Sequence, residues 1–193
     1  AGPGIGTGKA SQMILNTVLS ESSVPVIMDA DALNILAAAF KAKEGVDGLI
    51  AFLGRQCPVI VTPHLGEMAR LTGRDIAGIS RNLFETCRKF AKRYQVICVL
   101  KDARTVISDS MGTDYVNLSG NNGMATGGSG DVLSGMIGGL VCQHKDKGQE
   151  NLKRMAALGV YIHGLSGDEA KKRKGVYGLL ASDIIKYIAY VIQ

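Results

Sequence analysis

Two features of this sequence predict an α/β fold with a central, mostly parallel sheet flanked by helices on both faces. Segments with helical spacing alternate with short apolar, β-branched runs through the first half of the chain, and glycine-rich turns sit where strands pass into helices. Lys9–Ser20 carries Met13, Ile14, Thr17 and Val18 at helical spacing, and Val24–Met28 follows as a strand. The alternation repeats as helical Ala32–Phe40 and Gly48–Leu53, strand Val59–Val61, helical Leu83–Tyr94 and strand Val96–Leu100. Thr105–Ser108 and Asp114–Leu118 then read as strands joined without a helix, a hairpin or meander. Helices are expected at Val132–Cys142, Leu152–Glu169 and Ser182–Val191. No repeat, low-complexity tract or linker divides the chain, so a single domain over residues 1–193 is expected.

Composition narrows the function. An apolar fraction of 46% in 193 residues supports a sizeable core. The longest apolar runs fall short of the roughly 20 residues that span a bilayer, and no signal-type leader is present, so no membrane partner is expected and the reading is cytoplasmic. Cys57, Cys87, Cys98 and Cys142 show no paired spacing that suggests zinc or a redox motif, and read as reduced core thiols. The net charge of +5 is scattered apart from Lys171–Lys174. That run reads as a solvated helix end, and no nucleic-acid partner is expected. Glycine stands out at 25 residues, well above the average usage of about 7%.

Those glycines concentrate where chemistry is expected. Gly120–Asp131 follows a strand and opens a helix, with almost no side chains between Gly127 and Gly130. Such a run lets backbone N–H groups approach an anion closely, and a helix N-terminus adds partial positive charge. In the helix that follows, Val132-Leu133, Met136-Ile137 and Leu140-Val141 form an apolar stripe, whereas Ser134-Gly135 and Gly138-Gly139 form a small one suited to tight packing. Asp131 has two readings, a helix cap or a carboxylate that accepts the proton of a hydroxyl attacking phosphorus. The opening Gly2–Gly8 segment departs from a Walker A loop at Pro3 and Ala10 and from the dinucleotide fingerprint at Thr7. It reads as a glycine turn into a helix that is able to offer amides to a ligand. His64 follows a sheet strand, where open α/β folds place ligands, and reads either as a cap or as a binding residue. Asp29 and Asp31 follow another strand; one is expected to cap the next helix and the other to touch a ligand or a metal-bound water. Lys101–Thr105 joins two strands, bordering an adenine or ribose or forming a plain turn with two solvated cations. His163 is expected to be a packed, hydrogen-bonded histidine.

In this order, Gly2–Gly6, Asp29–Leu33, Thr62–Leu71, Lys101–Ile107 and Asn122–Gly135 resemble the ribokinase-like domain of the NAD(P)H-hydrate dehydratases. The most specific stretch is Gly123–Gly135. The resemblance implies a hydro-lyase in which a nucleotide phosphorylates the hydroxyl of hydrated NADH or NADPH and loss of phosphate restores the reduced cofactor. ADP is the implied donor, with ATP as the alternative, together with Mg2+, for which no protein ligands are assigned. By position, Gly4, Gly6 and His64 would bind the hydrate, and Asp131 would meet its reacting hydroxyl. Lys101, Asp102, Ala103, Arg104 and Thr105, with Thr126, Gly127, Gly128, Ser129 and Gly130, would bind the nucleotide. Ser129 replaces the family's usual threonine, and Asp102 a common glycine. The family domain extends before the Gly-Pro-Gly turn, so the chain reads as a fragment, and a homo-oligomer, often a tetramer, is implied. Two other readings stand beside this one: an alcohol kinase of the hydroxymethylpyrimidine or thiazole type, which usually has cysteine where Asp131 stands, and a nucleotide-binding subunit without activity.

Overall fold

A computed structural model describes residues 1–42, 52–112 and 114–192. They form two compact units, one of residues 1–102 and 106–114, the other of residues 103–105 and 115–193.

The first unit alternates strand and helix: α1 (Lys9–Glu21), β1 (Val26–Met28), α2 (Asp31–Ala42), β2 (Val59–Val61), α3 (Leu65–Thr72), α4 (Ile76–Arg81), α5 (Leu83–Tyr94), β3 (Ile97–Leu100) and β4 (Val106–Ser108). The strands run in the order β1-β2-β3-β4, with β1, β2 and β3 mutually parallel and β4 antiparallel to β3. Neighbouring residues on these strands point to opposite faces. Val59, Val61, Cys98 and Leu100 join one apolar core with Leu15, Leu33, Leu36, Met68, Ile79 and Phe90 from the helices. Ile60, Val99 and Ile107, on the other face, are also fully buried. A parallel sheet covered on both faces is the arrangement the sequence predicts.

The expected helix Gly48–Leu53 lies mostly outside the described residues, although Phe52–Gly54 are helical. Phe52 is buried beneath the Arg55 guanidinium, which lies 4.3 Å from its ring centroid. Arg55 also donates to the carbonyls of Tyr94 and Gln95 at 2.7 and 3.0 Å, fastening this turn to the end of α5. The helix α4 has no counterpart in the sequence expectation; its Asp75 cap accepts the Gly78 N–H. Cys57, Cys87 and Cys98 are buried free thiols, whereas Cys142 is exposed. Burial and the neighbouring Cys87 thiol push the Cys98 thiol well above its usual range, which keeps it protonated and inert.

The second unit opens with β5 (Tyr115–Val116), followed by a 3-10 turn at Asn122–Met124 and three helices, α6 (Ser129–Gln143), α7 (Gln149–Lys174) and α8 (Ala181–Val191). Helix α7 outruns the expected Glu169 end. Its last turn holds Lys171–Lys174, which are exposed cations at the negative end of the helix dipole, as expected for a solvated helix end. At Gly135 and Gly139, two positions of the small stripe on α6, a Cβ would meet nothing within 4 Å. A close approach to α6 is made from α7, where a Cβ at Gly159 would stand 2.8 Å from Ile137. Among the described residues no helix is long and apolar enough to cross a membrane.

Leu100 is fully buried at the centre of the first unit. Leu100→Ala should destabilise that unit by about 2–5 kcal/mol, read as a lowered urea midpoint; an unchanged midpoint would contradict this packing.

Candidate active site

Three parallel strands end side by side in the first unit, and the residues just beyond them are tied together. His64 forms an isolated bridge with Lys101, and the Lys101 N–H donates to the Pro63 carbonyl at 2.8 Å, continuing the β2–β3 ladder past its end. The Lys101 ammonium reaches back to the Asp29 carboxylate at the end of β1, 2.9 Å away. Asp29 is 2% exposed, so its charge is stabilised by this cation and by the Ala30 N–H at 2.9 Å. Ala30 has a left-handed φ of 48°, a rare conformation for a residue with a side chain, and it turns the chain between the two aspartates. Beyond that turn, Asp31 accepts the Gly6 N–H at 2.9 Å.

The opening glycines follow from this packing. A Cβ at Gly2 would stand 1.8 Å from the Asp29 carbonyl oxygen, so only glycine fits there. Gly4 and Gly6 both have left-handed φ, of 70° and 71°, and both are exposed. The turn thus lies against the ends of the sheet with its backbone open to solvent.

His64 is the N-cap of α3. Its Nδ1 accepts the N–H of Gly66 at 2.9 Å and of Glu67 at 3.3 Å, while the Glu67 carboxylate accepts the His64 N–H at 2.8 Å. Because Nδ1 is an acceptor, the neutral ring carries its proton on Nε2. Glu67 lies 3.4 Å from that nitrogen, and the His64 side chain remains 53% exposed. Capping orients the imidazole while about half of the side chain stays exposed, so capping does not exclude contact with a ligand.

In the second unit the loop from Ser119 to Gly128 lies against α7. A Cβ at Gly164 would stand 2.1 Å from Ser119 Oγ, and one at Gly167 would stand 2.2 Å from Met124 Sδ. Both glycines let the loop touch the helix backbone. Gly128, with φ 86°, is the N-cap of α6 and has no side chain to satisfy the helix start. The Ser129 N–H donates to the Thr126 carbonyl at 3.2 Å, and the Val132 N–H donates to Gly128 at 3.0 Å. Among the described residues, the N–H groups of Gly127, Gly128, Gly130 and Asp131 have no acceptor. They are donors at the positive end of a helix dipole, a setting in which backbone amides can bind an anion.

Asp131 is exposed in the first turn of α6 and makes no side-chain cap. Its carboxylate has no hydrogen-bond or ion-pair partner among the described residues. The capping reading is therefore overturned, because the helix starts two residues earlier, at Ser129, and Gly128 occupies the cap position. Ser129 turns its hydroxyl toward His163 Nε2, 3.4 Å away, and that nitrogen donates to the Ser129 carbonyl at 3.0 Å. His163 is buried, a packed, hydrogen-bonded residue as expected.

The expected residues fall into two groups. Gly4, Gly6, Asp29, Asp31, His64 and Lys101 come together in the first unit; Thr126–Asp131 form one segment of the second. Lys101 is not the solvated cation of a plain turn, since both its N–H and its ammonium are engaged. Arg104 is exposed, as are Asp102 and Ala103, and Thr105 accepts the Asn117 N–H at 2.9 Å. Asp102 does not adopt a left-handed conformation. The expected division between Asp29 and Asp31 also changes: Asp29 is spent on Lys101 and Asp31 on Gly6. Sequence reading missed the Asp29–Lys101 pair and the Asp168 contacts with the loop, because partners 72 and 47 residues apart leave no local spacing. Among the described residues no group of three or more His, Cys, Asp or Glu is arranged to hold a metal ion.

A mostly parallel sheet whose strand ends carry the candidate ligands, together with a glycine loop opening a helix, defines a ribokinase-like fold. The sequence matches the NAD(P)H-hydrate dehydratase family over residues 1–190, and the chain belongs to that family. It is 41% identical over 192 residues to the bifunctional NAD(P)H-hydrate repair enzyme of Moorella thermoacetica, covering all of this chain and 34% of that protein. It is 38% identical to the ADP-dependent (S)-NAD(P)H-hydrate dehydratase of Neisseria meningitidis, covering 95% of this chain and 58% of that one. The crystal structure of the ADP/ATP-dependent NAD(P)H-hydrate dehydratase of Bacillus subtilis, co-crystallised with ATP/Mg2+ and soaked with CoA, superposes with a TM-score of 0.82 at 33% identity. That match covers the whole of this chain and 64% of the other. The chain thus spans between about a third and two thirds of the length of these relatives.

The cap geometry makes His64 testable by stability alone. His64→Ala should cost about 1 kcal/mol and His64→Asn only a few tenths, since asparagine accepts the same N–H groups. Equal losses for the two variants in urea titrations would refute the capping role.

Proposed function

We propose that this chain carries the nucleotide-dependent dehydratase activity of its family, restoring NADH or NADPH from the hydrated cofactor with ADP as the phosphoryl donor. The two units would serve one activity, a reading supported by a family match that runs through both. The observation that carries the proposal is Asp131, an exposed carboxylate without a partner beside four backbone N–H groups that have no acceptor. Such an arrangement suits a phosphoryl group and a hydroxyl that attacks it.

The N–H groups of Gly127, Gly128 and Gly130 would hold the phosphate being transferred, stabilising negative charge as it moves from the donor to the substrate oxygen. Asp131 would accept the proton of the substrate hydroxyl as the new phosphorus–oxygen bond forms, and ADP would leave as AMP. A carboxylate is a weak base toward a free alcohol, but the hydroxyl becomes acidic only as it bonds to phosphorus, so the position of Asp131 matters more than its basicity. The phosphorylated ring then loses phosphate and a ring proton, and the double bond of the reduced nicotinamide returns. Asp102, Ala103, Arg104 and Thr105 would border the nucleotide, with Lys101 anchoring that segment to Asp29. Gly4, Gly6 and the half-exposed side chain of His64 would bind the hydrate.

Mg2+ fits as a companion of the nucleotide. It keeps several waters and binds phosphates with few carboxylates, and it would neutralise phosphate charge. The names of the Neisseria and Bacillus relatives support ADP as donor, the latter naming ATP as well. Exposed Leu158, Tyr161, Ile185 and Tyr190 on α7 and α8 support assembly into a homo-oligomer.

The test is recovery of reduced-nicotinamide absorbance after the full-length protein is mixed with hydrated NADPH, Mg2+ and ADP or ATP. Asp131→Asn should lower kcat by about 10²–10⁴ while nucleotide affinity stays close to wild type. Recovery without any nucleotide, or an Asp131→Asn variant as fast as wild type, would defeat the proposal.

A further inference from the structure

We infer that Asp168 is a positioning residue for the nucleotide, setting the glycine loop from its N-terminal end so that the free N–H groups at Gly127–Asp131 converge on phosphate. The inference rests on the reading that this segment binds a nucleotide. Asp168 is half-buried on α7 and uses both carboxylate oxygens on the loop. Oδ2 accepts the Gly120 N–H at 2.8 Å, and Oδ1 accepts an Asn121 Nδ2–H at 2.9 Å. Asn121 passes the constraint onward, because its Oδ1 accepts the Gly123 N–H at 3.0 Å and starts the 3-10 turn. From there Ala125 and Ser129 donate back to Asn122 and Thr126 at 3.2 Å each, so consecutive turns lead to the start of α6.

The same helix holds the other end of the loop. His163 donates to the Ser129 carbonyl, while Gly164 and Gly167 allow Ser119 and Met124 to reach the helix surface. None of these contacts uses the N–H groups of Gly127, Gly128, Gly130 or Asp131. A loop that must present unpaired donors cannot be rigidified through them, and fixing it by its neighbours lowers the entropy lost when phosphate binds.

The chemistry at position 168 is specific. Two donors face one carboxylate, and each needs an acceptor. Asp168→Asn keeps the shape but offers one acceptor, so its amide NH2 meets either Gly120 N–H or the Asn121 amide. Asn121→Asp alone sets two carboxylates against each other. Together, Asn121→Asp and Asp168→Asn exchange donor and acceptor across the pair: the new asparagine accepts Gly120 N–H and donates to the new aspartate, which still accepts Gly123 N–H. All three hydrogen bonds and the net charge are restored.

The experiment is calorimetric titration of the full-length protein and these three variants with ADP and Mg2+, alongside KM values for ADP and for hydrated NADPH. Each single variant should weaken ADP binding by about tenfold or more, as expected for losing a hydrogen bond to a charged group. The KM for the hydrate should change little, and the double variant should regain most of the affinity. Wild-type affinity in Asp168→Asn, equal loss for both ligands, or no recovery in the double variant would overturn the inference. Because titration needs no turnover, a wild-type protein that binds ADP without regenerating NADPH defeats the proposed activity and leaves this test intact; one that binds no ADP defeats both.

Discussion

Four backbone N–H groups at the start of α6 have no acceptor in the described structure, and this requirement governs how the second unit is built. Unpaired donors are costly in a folded chain unless a ligand or solvent meets them. Keeping them open means that side chains must be short, which accounts for Gly127, Gly128 and Gly130, and that order must come from elsewhere. Helix α7 supplies it, through Asp168 and His163 at the two ends of the loop and through the glycines that bring the loop to its surface. The helix dipole then gives the open donors their preference for an anion.

The first unit meets a similar demand with different parts. Its parallel strands deliver the residues after β1, β2 and β3 to one edge, where the β2–β3 ladder continues only as the His64–Lys101 bridge. The Asp29–Lys101 ion pair replaces some of the lost pairing, joining the ends of β1 and β3. Asp31 holds the glycine turn by the Gly6 N–H, and the capping box of α3 fixes His64, whose side chain stays half exposed. Structural bonds and available surface are thus divided within single residues.

Much of this was legible in the sequence because it depends on local pattern. The alternation of Val26–Met28, Val59–Val61 and Ile97–Leu100 with helical segments announces the parallel sheet, and the Gly120–Asp131 run announces the glycine loop that opens a helix. His163 is recognisable as packed because it lies amid apolar residues at helical spacing. What escaped is what depends on distance or on alternatives that local pattern leaves equal. The Asp29–Lys101 pair joins residues far apart, and Asp168 looks like any polar position on a long helix. The glycines of α6 look like a packing stripe, but Gly135 and Gly139 face open space, whereas Gly159, Gly164 and Gly167 of α7 each receive a neighbour at close range. The short helix α4 carries its cap at Asp75 but has too few residues to show a period. The cap reading of Asp131, the lesser of its two, is excluded by the helix start at Ser129.

The most direct measurement is amide NMR of the protein titrated with ADP and Mg2+. The account predicts that the resonances of Gly127, Gly128, Gly130 and Asp131 shift together and saturate with a single affinity, while that of Val132, whose N–H is already bonded to Gly128, moves less. Saturable binding that leaves those four amides unmoved would contradict the assignment of this loop to the nucleotide phosphates.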